Sequence, residues 1–347
     1  MRKFTLSAIV LATATLAAQQ AFAHTHDHHH VTRADGHAPA GVMFDHMHKK
    51  GGLMIGYNAQ RLVQNGAYQQ GENELKTTDA LSAYTMLTDQ HEMYMHMLHV
   101  MYAPTDNITL MLMPMYMSMD MDMVANAHAA STSHDHGHAS HTGAHSHGVK
   151  GWGDTVFGAS YRLFEGEKHS LISTLALSAP TGDYKVKGDD GNPVHYGMQL
   201  GAGVWQALPS ITYQYTEDKI NAGVQLSARQ PLSKYNDLGY YIGDQVGGTA
   251  WISYLWHPSV STSLRVQHTK TDSVQGHYNV AHNHSSPADM QANYGGRQTL
   301  AGFGVNTVVF GNVRVGAEYM KPVYEKLNGV QQPTDSVWNL SISKAFH

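Results

Sequence analysis

Between His91 and Met123 the chain places methionine at almost every second position, HEMYMHMLHVMYAPTDNITLMLMPMYMSMDMDM, and this run holds eleven of its 19 methionines. Thioether sulfur is a soft ligand that selects Cu(I), while imidazole suits copper, zinc or nickel. On an extended strand, side chains alternate faces with a period of two. Met93, Met95, Met97, His99 and Met101 then share one face, and Met111, Met113, Met115, Met117, Met119 and Met121 share one face of the following segment. Leu98, Val100, Tyr102, Leu110, Leu112 and Tyr116 fall on the opposite faces. Three readings fit such a surface: a ladder of ligands for cuprous or silver ions, an apolar lining for a permeant, or flexible bulk that fills a narrow interior. The sequence APTDN joins the two segments as a hairpin. Methionines oppose one another only in an even-sum register, such as Met97 with Met113 and His99 with Met111, which calls for an odd number of loop residues.

Histidine supplies a second set of ligands. His128, His134, His136, His138, His141, His145 and His147 lie among Ala, Ser and Gly. A cysteine-free tract of this kind reads as labile metal binding through neutral imidazole, against the alternative of a solvated low-complexity loop. His277, His282 and His284 form a weaker group. At the amino end, Arg2 and Lys3, an apolar stretch from Leu6 to Ala18, and Ala21-Phe22-Ala23 read as a secretory signal over residues 1–23. Cleavage after Ala23 gives a mature chain that begins His24-Thr25-His26. There His26, the free amine and two amides resemble the amino-terminal Cu(II) and Ni(II) motif, a square-planar site. His28, His29 and His30 add a generic site. The chain has no cysteine, which removes thiolate ligands and disulfides. Copper is the expected ion, with nickel or zinc behind it.

The elements that must position these residues follow from periodicity. Twelve alternating segments recur, at about 53–64, 92–103, 108–119, 153–164, 169–179, 198–215, 219–230, 246–257, 260–270, 298–310, 313–323 and 337–346. Short connections (PTDN, EGEK, TED, HPS and GN) alternate with long polar ones, a sorting that belongs to an antiparallel transmembrane β-barrel with short periplasmic turns and long extracellular loops. Residues 24–50 then form a loosely ordered, His-rich periplasmic segment, and residues 51–347 the outer-membrane barrel. Energetic cost fixes the facing. One parity puts Arg162, Arg229, Arg265, Arg314 and Glu318 in the lumen. The other puts four arginines into lipid at roughly 2–4 kcal/mol each, together about a whole domain's stability. The favoured facing turns the methionine face inward and Leu175, Val224, Leu226, Ile252, Leu264, Phe303 and Ile342 outward. Arg61 and Lys344 fall on the lipid parity near strand ends, where they can snorkel; His96 falls there without a sequence-level reason. The apolar parity flips between Val204 and Ile211, which predicts a bulge near Leu208-Pro209.

Several classes are set aside. A net charge of -5 with 14% charged residues offers no basic patch for nucleic acid. Beyond the signal no apolar run reaches the length of a transmembrane helix. No phosphate loop, carboxylate pair or closed zinc signature stands out, and with 26 histidines a chance Ser and His proximity carries no weight, so no enzyme is expected. The strings GVMFDHMHKKGGLMIGY, VMYAPTDNITLM, LALSAPTGDY, YGMQLGAGVWQALPSITYQ and PVYEKLNG, in this order, resemble a family of bacterial outer-membrane proteins labelled as phenol meta-pathway components or simply as transporters. The resemblance spans most of the mature chain. It implies an outer-membrane barrel and a transport role, with no agreed substrate and no catalytic residue. Expected partners are outer-membrane lipid, the barrel-assembly machinery, and either a metal ion or a small-molecule permeant. The first reading is metal handling; the others are a passive channel for small apolar or aromatic compounds and a structural barrel without transport.

Overall fold

A computed structural model describes residues 33–75, 80–127, 129 and 144–346. Residues 1–23, the expected signal, lie outside the described residues. Twelve antiparallel staves run β1 Leu53–Asn65, β2 Met86–Thr105, β3 in two pieces (Ile108–Met113 and Met115–Ala125), and β4 in two pieces (His145–Trp152 and Thr155–Glu165). They continue with β5 His169–Ala179, β6 Gln206–Glu217, β7 Ile220–Pro231, β8 Gln245–His257, β9 Val260–Thr271, β10 Gly296–Val309, β11 Val313–Gln331 and β12 Thr334–Phe346. Each pairs with its chain neighbour. β1 pairs with both β12 (Tyr57 opposite Ile342) and β2 (Gly56 opposite His99), which closes the barrel.

The alternation sorts as cost dictates. Leu175, Leu226, Leu264 and Trp256 are about 60% exposed on the outer wall, whereas Arg265, Glu318, Ser160, Ser253 and Asn306 are buried inside. This apolar outer wall, closed with no free edge, is what a bilayer requires of a β protein, and the barrel is one of the Gram-negative outer membrane. The residues that broke the lipid parity have partners. Arg61 bonds Glu92 at 2.7 Å with its guanidinium 5.7 Å from the Tyr94 ring centroid, and the Tyr57 hydroxyl meets His96 Nδ1 at 2.6 Å.

Two expectations are corrected. β6 follows β5 in one register from Gln206 to Tyr215, so no bulge forms near Leu208-Pro209. The parity flip arises because the stretch before Gln206 is no strand: it is a loop folded into the lumen, with Met198, Leu200, Ala202 and Val204 buried. The amino-terminal segment, as far as it is described, is not loose. It enters at the short-turn end, where the Ala34 N–H donates to Pro258 O at 2.8 Å, and leaves there, where the Lys50 N–H donates to Asp106 Oδ1 at 2.9 Å. In between it reaches into the lumen. Gln225 Nε2 donates to Met43 O at 2.7 Å, Ala38 and Val42 pack on Trp251, and a Cβ on Gly41 would fall about 2.6 Å from atoms of Arg265, Glu318 and Asn339.

Facing predicts a clear asymmetry between neighbours. Leu264→Arg, on the outer wall, is expected to lower barrel stability by about 2–4 kcal/mol, and lumenal Gln267→Arg to lower it much less. Urea unfolding from phospholipid vesicles measures the difference.

Candidate functional site

The site grows from the β2–β3 hairpin. Its turn is only two residues long, with Thr105 opposite Ile108, and a bulge between Tyr102 and Thr105 supplies the odd residue that parity demands. The pairing is therefore offset by two from the expected one: Met97 faces Met115 instead of Met113, and Met101 instead of His99 faces Met111. Met95 opposes Met117 and Met93 opposes Met119. Pro114 lacks an N–H and interrupts the ladder between the two pieces of β3, as the backbone chemistry of proline requires. Across from it β4 breaks at Gly153-Asp154, where the Asp154 carboxylate accepts the Gly182 and Ala202 N–H groups at 2.9 Å each. This break anchors the inward-folded loop.

Met101, Met111, Met113, Met117, Met119, Met121 and Met123 are buried, while Leu98, Tyr102, Leu110 and Leu112 face outward. Met93, Met95, Met97 and Met115 are half-buried. The upper part of the face packs against Met86, Val149, Val194, Met198 and Leu200 from the wall and the loop. The lower part ends at Met54, Met101 and Met111, with His99 buried on the same face.

Over the methionines sits a cap made by the long loops. Tyr196, Tyr240 and Tyr278 form an aromatic cluster, with Tyr196 and Tyr278 stacked at 4.3 Å. The Tyr278 hydroxyl donates to Val194 O at 2.9 Å, and that of Tyr294 to Ala288 O at 2.6 Å. Burial raises the pKa of the Tyr240, Tyr278 and Tyr294 phenols, so all three stay protonated. His195 Nδ1 meets Asp289 Oδ1 at 2.7 Å, both buried, and the His147 ring lies 6.1 Å from that of His195. His91, opposite Met121, meets Gln64 Oε1 through Nδ1 at 3.0 Å, and its Nε2 is buried without a hydrogen-bond partner.

Of the histidines singled out in the sequence, His24, His26, His28, His29, His30, His128, His134, His136, His138 and His141 lie outside the described residues. His145 and His147 lie on β4, their rings 4.6 Å apart, opposite Met123 and Met121. The structure thus brings His91, His147 and His195 to the upper methionines and His99 to the lower ones. Sequence reasoning missed His91, which opens the methionine run, and His195, whose role depends on a loop folding inward. It also missed His37, Asp45 and His46, which the amino-terminal segment carries into the lumen; the string DHMH at Asp45 was a visible signal.

A cavity of about 400 Å³ lies between the segment's tip (Gly41 to Phe44), Met95 and the β6–β9 wall, where Gln225, Arg229, Arg265 and Gln267 line it. Arg265 forms a bidentate pair with Glu318 at 2.8 and 2.9 Å, and Asn339 Nδ2 donates to Glu318 Oε2 at 3.0 Å. Arg229 Nε is buried with no bond.

No protein-family model matches the chain, and no curated protein matches its sequence. Among solved structures it is similar to an outer membrane channel from Pseudomonas putida F1, at 15% identity and a TM-score of 0.58, over 86% of this chain and 97% of that one. It is also similar to the NanC porin at 9% identity and a TM-score of 0.41, over 82% and 98% of the two chains. A FadL homologue from Pseudomonas aeruginosa aligns at 10% identity and 0.40, over 87% and 91%. The first of these shares the fold.

Methionine and leucine have similar volume, so the packing and ligand roles of the inner face separate cleanly. Met97→Leu, Met115→Leu and Met117→Leu are each expected to change stability by less than about 1.5 kcal/mol, as read by urea unfolding. A larger loss would mean that thioether flexibility itself holds the interior together.

Proposed function

We propose that this outer-membrane barrel handles a soft metal ion, cuprous copper first, by binding or passing it along its inner thioether face. The observation that carries the reading is the set of directly opposed inward pairs Met93–Met119, Met95–Met117, Met97–Met115 and Met101–Met111. Residues directly opposite on one face of a sheet hold their Cβ atoms about 4.5–5.5 Å apart, close enough for two flexible thioethers to converge on one ion. His91 and His99 supply imidazole at the two ends of the face, each with a buried, unpartnered Nε2. The histidine-rich sequence that includes His134, His136, His138 and His141, and that of His24, His26, His28, His29 and His30, would supply further imidazoles to concentrate the ion. Copper, with nickel or zinc at the histidines, is the corresponding cargo.

A second reading has its own support. The cavity of about 400 Å³, lined by Phe44, Met95 and Leu208 on one side and Arg229 on the other, has room for a small aromatic or apolar solute. The Pseudomonas putida relative is described as a channel. Passage of such solutes needs bulk and a dry lining, not sulfur lone pairs.

One set of variants separates the two. Detergent-purified protein is titrated with Cu(I) in competition with a chromogenic chelator, beside the triple variant Met97→Leu, Met115→Leu, Met117→Leu. Metal handling predicts micromolar or tighter binding that weakens by at least roughly tenfold, about 1.4 kcal/mol, in the triple variant. In proteoliposomes the same variant should keep its flux of phenol-sized solutes if the cavity serves them. Equal Cu(I) binding by both proteins would remove the metal reading.

A further inference from the structure

We infer that His37, Asp45 and His46 form a divalent transition-metal site that pins the amino-terminal segment inside the barrel. A nitrogen of each imidazole and an oxygen of the carboxylate lie within 4.8 Å of one another. These residues meet because the segment doubles back between them: the Val42 N–H donates to Pro39 O at 2.9 Å and the turn's apolar side rests on Trp251. The His37 and His46 rings come to 3.8 Å between centroids.

The surrounding bonds prepare the donors. Asp45 Oδ2 accepts the Ala38 N–H at 2.7 Å, and Asp45 Oδ1 meets His46 Nδ1 at 2.6 Å. These two bonds fix the orientation of the carboxylate and of the His46 ring. His46 Nε2 is buried and has no hydrogen-bond partner, a condition that folded interiors seldom leave uncompensated. Two imidazoles and a carboxylate, with a position left for water, are a donor set of Zn(II), and Ni(II) or Cu(II) suits the same nitrogens.

The wall completes the setting. His37, Asp45 and His46 line a cavity of about 50 Å³ together with His99, Met54 and Arg314, room for an ion and a water by volume. His99 stands opposite Gly56, and a Cβ there would fall 2.2 Å from its Nε2, so only glycine leaves this ring its place. An ion held by the segment therefore sits beside the wall where the methionine face ends. Arg314 opposes the ion's charge. These donors are nitrogen and oxygen, not sulfur, so the site stands whether or not the methionine face binds copper.

The test is calorimetric titration of the whole barrel protein, with its amino-terminal segment, in detergent with Zn(II), with Co(II) absorption as a report on coordination. Histidines elsewhere bind ions too, so the reading is a difference between proteins. Wild type should hold one more tightly bound ion per chain than His37→Ala or His46→Gln. Asp45→Asn, which removes the anionic ligand, should bind that ion at least roughly tenfold more weakly. Arg314→Gln keeps all three ligands and should bind it more tightly. The triple methionine-to-leucine variant should titrate like wild type, which separates this site from the copper reading. Equal stoichiometry and affinity in wild type and the ligand variants, or an unchanged affinity in Arg314→Gln, would overturn the assignment. Far-ultraviolet dichroism and heat-dependent gel mobility establish that each barrel is folded.

Discussion

Everything in this molecule depends on closure. Within a hydrocarbon layer no water serves an unpaired N–H or C=O, so a sheet must meet itself. Here β1 does so by bonding β12 on one side and β2 on the other. Once the edge is gone, each strand has an inside and an outside, and a period of two in the sequence becomes a chemical boundary. Leu175, Leu226, Leu264 and Trp256 go to lipid; Arg265, Glu318 and the methionines of β2 and β3 go inward. The buried Arg265–Glu318 pair, bound also by Asn339, is tolerable only because the interior supplies its partners.

The interior so defined is filled rather than left as a plain tube. The long loops press a tyrosine-rich cap onto the upper methionines, and the amino-terminal segment enters from the opposite mouth. What the closed wall shares with other barrels is shape. Its inner surface carries sulfur on β2 and β3, guanidinium and amide on β6 to β9, and imidazole at the junctions between wall and filling.

Much of this was legible in the sequence because strands write their facing locally. All twelve staves and the inward direction of the methionines follow from alternation and from the cost of arginine in lipid. Register was less legible: a bulge between Tyr102 and Thr105 adds one residue without any apolar residue marking it, and shifts Met97 from Met113 to Met115. The stretch from Met198 to Val204 alternates as a strand does, yet it alternates against the methionine face and not in the wall. Nothing in its own pattern distinguishes the two. His195 with Asp289, and His37 with Asp45 and His46, are joined by loops that fold inward, and such meetings depend on three-dimensional packing that periodicity does not encode.

The buried thioethers also set the terms on which this barrel ages. A cysteine-free chain offers oxidants no thiol, so its sulfur reactivity lies wholly in methionine. Sulfoxidation turns a pliant apolar side chain into a polar, chiral one. Met119 and Met198 are fully buried beneath the tyrosine cap, whereas Met93, Met95 and Met97 are only half-covered. Oxidants therefore reach the half-buried Met93, Met95 and Met97 more readily than Met119 and Met198. The cap that fills the barrel also covers these deepest sulfurs.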